Sequence, residues 1–362
     1  VRKLCASAAL LPENRAGWLT DADAAVLVWR HYRLRGRAQR LAGERDDNFR
    51  ITSERGEAFL LKVVHPSVDP AVANLHTQAL RHVACHAPDL PVQRVIPDVS
   101  GEPECRIIDA ATGEPRTVRL VSYLPGRVQS QTPSTPAQRR NAGAMLADMQ
   151  LALQDFSHPA DTHDCLWDLG HARSLQPMLA QLPEQPLVLA ALLDDFADTV
   201  LARLPQLRTQ VVHNDWSRDN LLVDPQESER IVGVIDFGDM VRTPVLFDVA
   251  VGAAYQLPGE RDPGAHKPER LLAAACDFIA GFHARRALLV EEVELLFVTI
   301  LARQVMRIVM TEWRAARCPE NRAYLLRNTA ATRTQLACLC AMPPAQATDA
   351  IVRALSRQGK PS

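Results

Sequence analysis

The chain predicts an α+β fold in two lobes: an antiparallel β-rich lobe over residues 1–122 and a mainly helical lobe over residues 123–362. Short apolar runs parted by turn clusters crowd roughly the first hundred residues. Beyond Pro136 the apolar residues recur at helical spacing over long stretches. Between the two regimes the composition changes at Leu124-Pro125-Gly126.

The first lobe reads in order. Phe49 to Thr52 and Ala58 to Val64 are strands joined by Ser53-Glu54-Arg55-Gly56-Glu57, a hairpin-turn composition. Residues 69–86 carry a helix through Val72, Leu75, Ala79, Leu80 and Val83. Cys105 to Asp109 and Arg116 to Tyr123 are two more strands around Thr112-Gly113-Glu114. In the second lobe Gln129 to Pro136 is a loop, and helices are expected over 137–156, 187–204, 244–257, 268–284, 290–316 and 320–341. A hairpin interrupts them, Leu221 to Val223 and Ile231 to Ile235, turning at Asp224-Pro225-Gln226-Glu227-Ser228. A cofactor would be expected in a cleft between such lobes.

With 362 residues, 47% hydrophobic and 23% charged, the chain can bury a substantial core. Its net charge of -1 excludes a global basic footprint, so neither nucleic acid nor an anionic membrane is an expected partner. The eight cysteines form no Cys-x-x-Cys pair and no zinc spacing, as in a reduced cytoplasmic protein. The apolar patch ending at Leu11 is broken by Pro12 and Glu13, too short for a secretory signal. The most apolar later stretch, 293–310, carries Glu294, Arg303 and Arg307, so it reads as a buried amphipathic helix of a soluble, cytoplasmic protein. No pattern sets an oligomeric state.

The chemistry-bearing stretch is His213-Asn214-Asp215-Trp216-Ser217-Arg218-Asp219-Asn220, followed by Asp236-Phe237-Gly238. An Asp, an Asn five positions on and a second Asp are the residue types that phosphoryl transfer needs. Asp215 can orient an acceptor hydroxyl and accept its proton. Asn220 and Asp236 offer hard oxygens for Mg2+, which neutralises nucleoside triphosphate charge. Asp236 ends the strand Ile231 to Ile235, which would aim it rigidly. A surface Asp in a turn is the competing reading of each residue alone, and the joint spacing disfavours it. His213 is expected to be a packed loop histidine rather than a base. Asp239 is expected to support the site from behind. Asp248 is either a helix N-terminal charge or a buried anchor for the loop backbone.

Lys62, in Phe59-Leu60-Leu61-Lys62-Val63-Val64, alternates against apolar neighbours and can reach triphosphate oxygens; a solvated strand-face lysine is the alternative. Upstream, Gly43-Glu44-Arg45-Asp46-Asp47-Asn48-Phe49 stands where a phosphate-covering loop would, with one glycine, and Asn48 is its candidate side-chain contact.

These residues resemble the aminoglycoside phosphotransferase-like small-molecule kinases, which share the two-lobed protein kinase-like fold. The resemblance is closest to the hydroxylysine kinase branch, including the kinase-like domain fused to some class III aminotransferases. It is carried by Gly43 to Phe49, Leu61-Lys62-Val63, Phe156-Ser157-His158-Pro159, Trp167-Asp168-Leu169 and Val234-Ile235-Asp236-Phe237-Gly238-Asp239-Met240, and spans about residues 20–340. It implies Asp215 as catalytic base, Asn220 and Asp236 as Mg2+ ligands, and Lys62 on the phosphates of ATP or GTP. Leu120 to Leu124, with Leu120 and Tyr123 as contacts, would be the hinge that holds the purine. The acceptor implied is the hydroxyl of a small amine or amino acid, with 5-hydroxylysine the best single candidate. An aminoglycoside, homoserine or choline kinase, or a non-catalytic nucleotide-binding module, is the alternative.

One departure is that residues 66–86 contain no glutamate to pair with the strand lysine; His76 or Gln78 falls at that place, and a neutral hydrogen bond is expected there. Trp216 either packs the loop or walls the acceptor site. Asp219, Trp216 and Glu312 are candidate partners for a substrate ammonium. Arg303 is a candidate for a substrate carboxylate or a structural ion pair. No Gly-rich loop and no Ala-Pro-Glu are present, and the short connection from Asp236 to Asp248 leaves no room for a peptide-docking segment.

Overall fold

The computed structural model describes residues 19–43, 46–109, 113–182, 186–259 and 266–357. They fall into two compact units, one comprising the chain up to Pro125 together with His158–Asp161, the other Gly126–Ser157 and the chain from Thr162 onward.

The first unit is a six-stranded antiparallel sheet. Its strands are β1 (Gly36–Leu41), β2 (Asp47–Ser53), β3 (Ala58–Val63), β4 (Val95–Ile96), β5 (Cys105–Ile108) and β6 (Pro115–Ser122), in the order β1-β2-β3-β6-β4 with β5 also on β6. Helix α1 (Asp21–Tyr32) buries Ala24, Leu27 and Val28 against Ala38, Phe49, Ile51, Leu61, Val63, Val118 and Leu120. Because side chains alternate across a sheet, the inward Leu61 and Val63 turn Lys62 to the opposite face. Helix α2 (Pro70–His86) starts where Asp69 accepts the Ala71 N–H with Pro70 at the first position. His158 places Nε2 3.1 Å from Asn74 Oδ1 on α2.

Three elements of this unit lie outside those expected, α1, β1 and the two-residue β4. The start of α1 had a local signature, because Thr20 and Asp23 form a reciprocal capping box. Strand β1 alternates Arg37, Gln39 and Arg40 with little apolar content and forms because it pairs with β2 along its length. Glu44, Arg45 and Thr112, named above in the candidate loop and turn, lie outside the described residues.

The second unit is mainly helical: α3 (Pro136–Ala152), α4 (Gln176–Leu179), α5 (Pro186–Thr199), α6 (Val245–Tyr255), α7 (Pro268–Arg285), α8 (Val290–Arg317), α9 (Arg322–Leu326), α10 (Thr329–Cys340) and α11 (Pro344–Ser356). The helix expected over 187–204 stops at Thr199 and continues as a 3-10 segment through Pro205, which has no N–H to donate and biases its predecessor away from α geometry. The helix expected over 320–341 breaks between Leu326 and Thr329. Helix α8, with 28 residues, is about 42 Å long and packs α5, α6, α9, α10 and α11 around it. Among the described residues no helix is long and apolar enough to cross a membrane.

Helices α3 and α7 cross backbone to backbone. A Cβ added at Gly143 would lie 2.0 Å from the Phe278 carbonyl oxygen, and one at Gly281 would lie 2.0 Å from that of Arg140. Neither oxygen belongs to a flexible side chain, so the helices themselves would have to separate. Five short strands complete the unit: β7 (Arg127–Val128), β8 (Thr209–Val212), β9 (Leu221–Val223), β10 (Ile231–Val234) and β11 (Val241–Pro244), paired as β10-β9-β7 and β11-β8.

Gly281→Ala tests the crossing. Alanine improves helix propensity by about 0.8–1 kcal/mol, but forced separation costs roughly 1–3 kcal/mol or more. The variant should be less stable than the wild type in urea denaturation; equal or greater stability would show that the helices do not touch there.

Candidate active site

Residues 213–220 leave β8 and enter β9, while residues 235–240 leave β10 and enter β11. Val234 pairs with Leu221 at one end of the two loops, and Val241 pairs with Val212 at the other. The two ladders therefore hold the loops side by side, and Asp215 and Asp236 project from neighbouring segments. Cross-links tighten the arrangement: the Ile235 N–H donates to the Asn220 carbonyl at 3.0 Å, and His213 Nε2 lies 3.1 Å from the Ile235 carbonyl.

His213 is fully buried. Its Nδ1 accepts the Asp215 N–H at 3.3 Å, so the proton sits on Nε2 and is donated to Ile235. Burial pushes its pKa down, against the opposing pull of Asp248 and Asp236, so a neutral imidazole holds the loop. As expected, His213 is a packed loop histidine. Asp248 is the buried anchor, with Oδ1 accepting the Asn214 N–H at 2.9 Å and Oδ2 accepting from Gln150 at 3.0 Å. The backbone is left-handed at Asn214 (φ 63°) and Asp236 (φ 59°), each side of the site. Non-glycine residues adopt that conformation at a cost of order 1–3 kcal/mol, which the surrounding ties must offset.

Trp216 resolves to the first of its two expected roles. It is fully buried, donates Nε1–H to the Ala142 carbonyl at 3.1 Å and meets His213 edge-on at 5.3 Å. It joins the loop to α3 beside the Gly143 crossing and presents no face to an acceptor.

Asn220 donates its amide N–H to Asp215 Oδ2 at 2.6 Å and to the Asp215 carbonyl at 3.0 Å. That fixes which end of the amide faces Asp215 and turns its carbonyl oxygen the other way. A neutral amide oxygen on one loop and the Asp236 carboxylate on the adjoining loop are the kinds of donor that suit a hard divalent cation sharing its remaining positions with phosphate oxygens and water. Burial raises the Asp215 carboxyl to about 6; Asp236 and Asp219 push it the same way, against Arg303 and the Asn220 hydrogen bond. A carboxyl titrating there is poised to exchange a proton with a hydroxyl near neutral pH.

The other candidates in this unit are placed as follows. Glu312 closes a bidentate pair with Arg333 at 2.6 and 2.7 Å, so its charge is already matched and it is corrected from substrate partner to structural residue. Asp219 is exposed, accepts from Ser130 and lies 3.9 Å from Arg327. Arg303 is 1% exposed and forms no ion pair among the described residues; its Nη1 donates to the Trp167 carbonyl at 2.8 Å, and its guanidinium lies over the Trp167 and Tyr255 rings at 5.0 and 5.6 Å. Trp167, Tyr255 and Arg307, which gather about Arg303, were not among the candidate site residues read from the sequence. The only signal was that Arg303 and Arg307 stand one helical turn apart in an otherwise apolar stretch.

In the β unit, Lys62 pairs with Asp46 at 2.9 Å. A carboxylate at the entrance to β2 meets Lys62, where residues 66–86 offer no glutamate. Asp46 also accepts the His65 N–H at 2.9 Å. Burial would raise its carboxyl, but Lys62, the His65 N–H and Arg119 hold it at about 2. Asn48 stands opposite Lys62 in the β2–β3 register. Leu120 is corrected: it is buried in the sheet core and paired with Leu61 and Ile96 on both sides, so its backbone has no edge for a purine. Strand β6 ends at Ser122, and the candidate hinge contracts to Tyr123–Pro125. There the Tyr123 N–H donates to Ala58, and Arg50 lies over the Tyr123 ring at 4.8 Å.

A two-part α+β chain with an Asp–Asn pair beside a second Asp defines a small-molecule kinase. The chain belongs to the phosphotransferase enzyme family, whose family model matches residues 37–288. It is similar to hydroxylysine kinase of Danio rerio, 25% identical over 293 residues that cover 78% of this chain and 80% of that protein. It is likewise similar to hydroxylysine kinase of Mus musculus, 24% identical over 349 residues, 86% of this chain and 89% of that protein. Its fold matches a solved amicoumacin kinase in complex with AMP-PNP, Ca2+ and Ami, with a TM-score of 0.68, 16% identity, and 90% and 95% of the two chains covered.

Asp215 yields a stability test on the protein without nucleotide or divalent ion. Its folded pKa of about 6 lies above the usual 3.8, so the carboxyl favours folding below pH 4 and progressively loses that contribution as pH rises through 6. Asp215→Asn removes the buried charge. It should match the wild type near pH 4 and become the more stable form by roughly 1–2 kcal/mol near pH 7.5 in denaturant titrations. A variant less stable at pH 7.5 would contradict the burial of this charge.

Proposed function

We propose that the chain transfers the γ-phosphate of ATP or GTP to the hydroxyl of a small hydroxylated amine or amino acid, with 5-hydroxylysine as the acceptor. The observation that carries this reading is the Asn220–Asp215 hydrogen bond at 2.6 Å, with Asp236 on the adjoining loop. The likeness to two hydroxylysine kinases over most of the chain supports the choice of acceptor.

Asp215 accepts the hydrogen bond of the attacking hydroxyl, aims its oxygen and takes the proton as the new ester bond forms. Asn220 orients the Asp215 carboxylate through its amide N–H. Its carbonyl oxygen and the Asp236 carboxylate would hold Mg2+, which when bound neutralises triphosphate charge and supports transfer. Lys62 meets triphosphate oxygens, and Asp46 fixes the ammonium as the missing helix glutamate would. The fixed dipoles and charges need no reorganisation during transfer, the chief source of such catalysis. Helix α6 begins at Val245, so the chain from Asp236 runs directly through β11 into the helix, which suits a small acceptor rather than a peptide.

Three outcomes follow. In a triphosphate-consumption assay over hydroxylysine, homoserine, choline, ethanolamine and aminoglycosides with ATP and GTP, hydroxylysine should give the highest kcat/KM. Asp215→Ala should lower kcat by about 10²–10⁴ while nucleotide still binds; near wild-type turnover would overturn the assigned base. Asp46→Asn, which leaves Lys62 without that carboxylate, should raise KM for the triphosphate by roughly 10-fold. An unchanged KM and kcat would remove Asp46 from the role of the helix glutamate.

A further inference from the structure

Several buried or half-buried guanidinium groups of this chain close on a carboxylate. Arg116 meets Asp47 and Asp109, Arg139 meets Asp277, Arg208 meets Glu292 and Arg333 meets Glu312. Arg303 and Arg307 do not: among the described residues neither has an Asp or Glu oxygen within 4.0 Å. They stand one turn apart on α8, where like charges repel. Arg303 is almost fully buried, and its Nε–H has no acceptor among the described residues. Arg307 lies over the Tyr255 ring at 4.5 Å and gives one N–H to Gln304 at 2.7 Å.

Two adjacent, unpaired guanidiniums in a poorly hydrated place are destabilising unless something anionic joins them. The rings of Trp167 and Tyr255 cover guanidinium faces and leave edge N–H groups to meet a ligand, the geometry that suits a planar, bidentate carboxylate. The place is also fixed relative to the chemistry, since Arg303 and Arg307 both lie within electrostatic reach of Asp215.

We infer that Arg303 and Arg307, framed by Trp167 and Tyr255, bind the α-carboxylate of the acceptor, which makes the acceptor class hydroxylated α-amino acids rather than amino alcohols or aminoglycosides. This rests on the acceptor-phosphorylating reading above and deepens it. The other anion that could reach the pair is the phosphoryl group of the donor, and the experiment separates the two.

The wild-type enzyme is assayed with 5-hydroxylysine and with 1,5-diaminopentan-2-ol, which differs only in lacking the carboxylate. The kcat/KM ratio should favour the amino acid by at least about 10²-fold, mostly through KM. Arg307→Gln should bring that ratio towards 1, and Arg307→Lys should restore part of it, because charge returns without the fork. A wild-type ratio near 1 overturns the proposal, as does a variant that slows both acceptors and the hydrolysis of triphosphate by water equally, the signature of a phosphate contact. If neither compound is phosphorylated, the acceptor reading fails, and calorimetric titration of lysine against 1,5-diaminopentane then decides the carboxylate site. Lysine binding that exceeds the diamine's and is lost in Arg307→Gln supports it; equal or absent binding of the two overturns it.

Discussion

The site depends on two short antiparallel ladders that pin a pair of loops against each other. Val212 with Val241 and Leu221 with Val234 fix both ends of residues 213–220 and 235–240, so neither loop can move without breaking strand pairs. Inside that frame a neutral His213 links the Asp215 N–H to the Ile235 carbonyl, and the buried Asp248 takes the Asn214 N–H. These are polar groups in a dry interior, where each satisfied bond matters because leaving one unmade costs about 1–3 kcal/mol. The same bonds hold Asn214 and Asp236 in left-handed backbone, a conformation local preference would not choose.

Support passes outward through packing. Trp216 ties the 213–220 loop to the Ala142 carbonyl of α3, and α3 is held against α7 at Gly143 and Gly281, where only hydrogen side chains allow the backbones to meet. Gln150, further along α3, steadies the second oxygen of Asp248. One helix therefore anchors both the aromatic and the acidic tie of the site. Rigid elements behind a loop are what place a carboxylate within the tolerance that proton transfer requires.

Much of this was legible in the residues. The Asp-Asn-Asp spacing at 215, 220 and 236 is local, set by a loop and the end of a strand, so it survives without any knowledge of tertiary contacts. The alternation around Lys62 likewise predicts its face correctly, because strand period is a backbone property. What failed was long-range. Asp46 as the partner of Lys62 depends on strand register between β2 and β3, which no local pattern encodes. Leu120 was read as hinge because the strand end at Ser122 depends on pairing with β3 and β4. Glu312 looked available only while Arg333, on a different helix, was out of view. Trp167 and Tyr255 are ordinary aromatics in the chain and acquire meaning only where α8 brings Arg303 and Arg307 between them.

Charge pairing separates the structural residues from the chemical ones. Arg116, Arg139 and Arg333 are each neutralised by their own carboxylates, whereas among the described residues Arg303 and Arg307 have no Asp or Glu oxygen within 4.0 Å, and burial raises the Asp215 carboxyl within their electrostatic reach. Perturbed, incompletely compensated groups gathered at one place are the mark of a site that waits for ligand charge. The claim that this place performs phosphoryl transfer to an acceptor hydroxyl is tested most directly by observing the product. Phosphorus NMR of the protein incubated with ATP, Mg2+ and 5-hydroxylysine should show a new phosphomonoester resonance coupled to the carbinol proton of the acceptor, growing in step with ADP. ADP accompanied only by inorganic phosphate, or no change in the ATP resonances, would contradict the account.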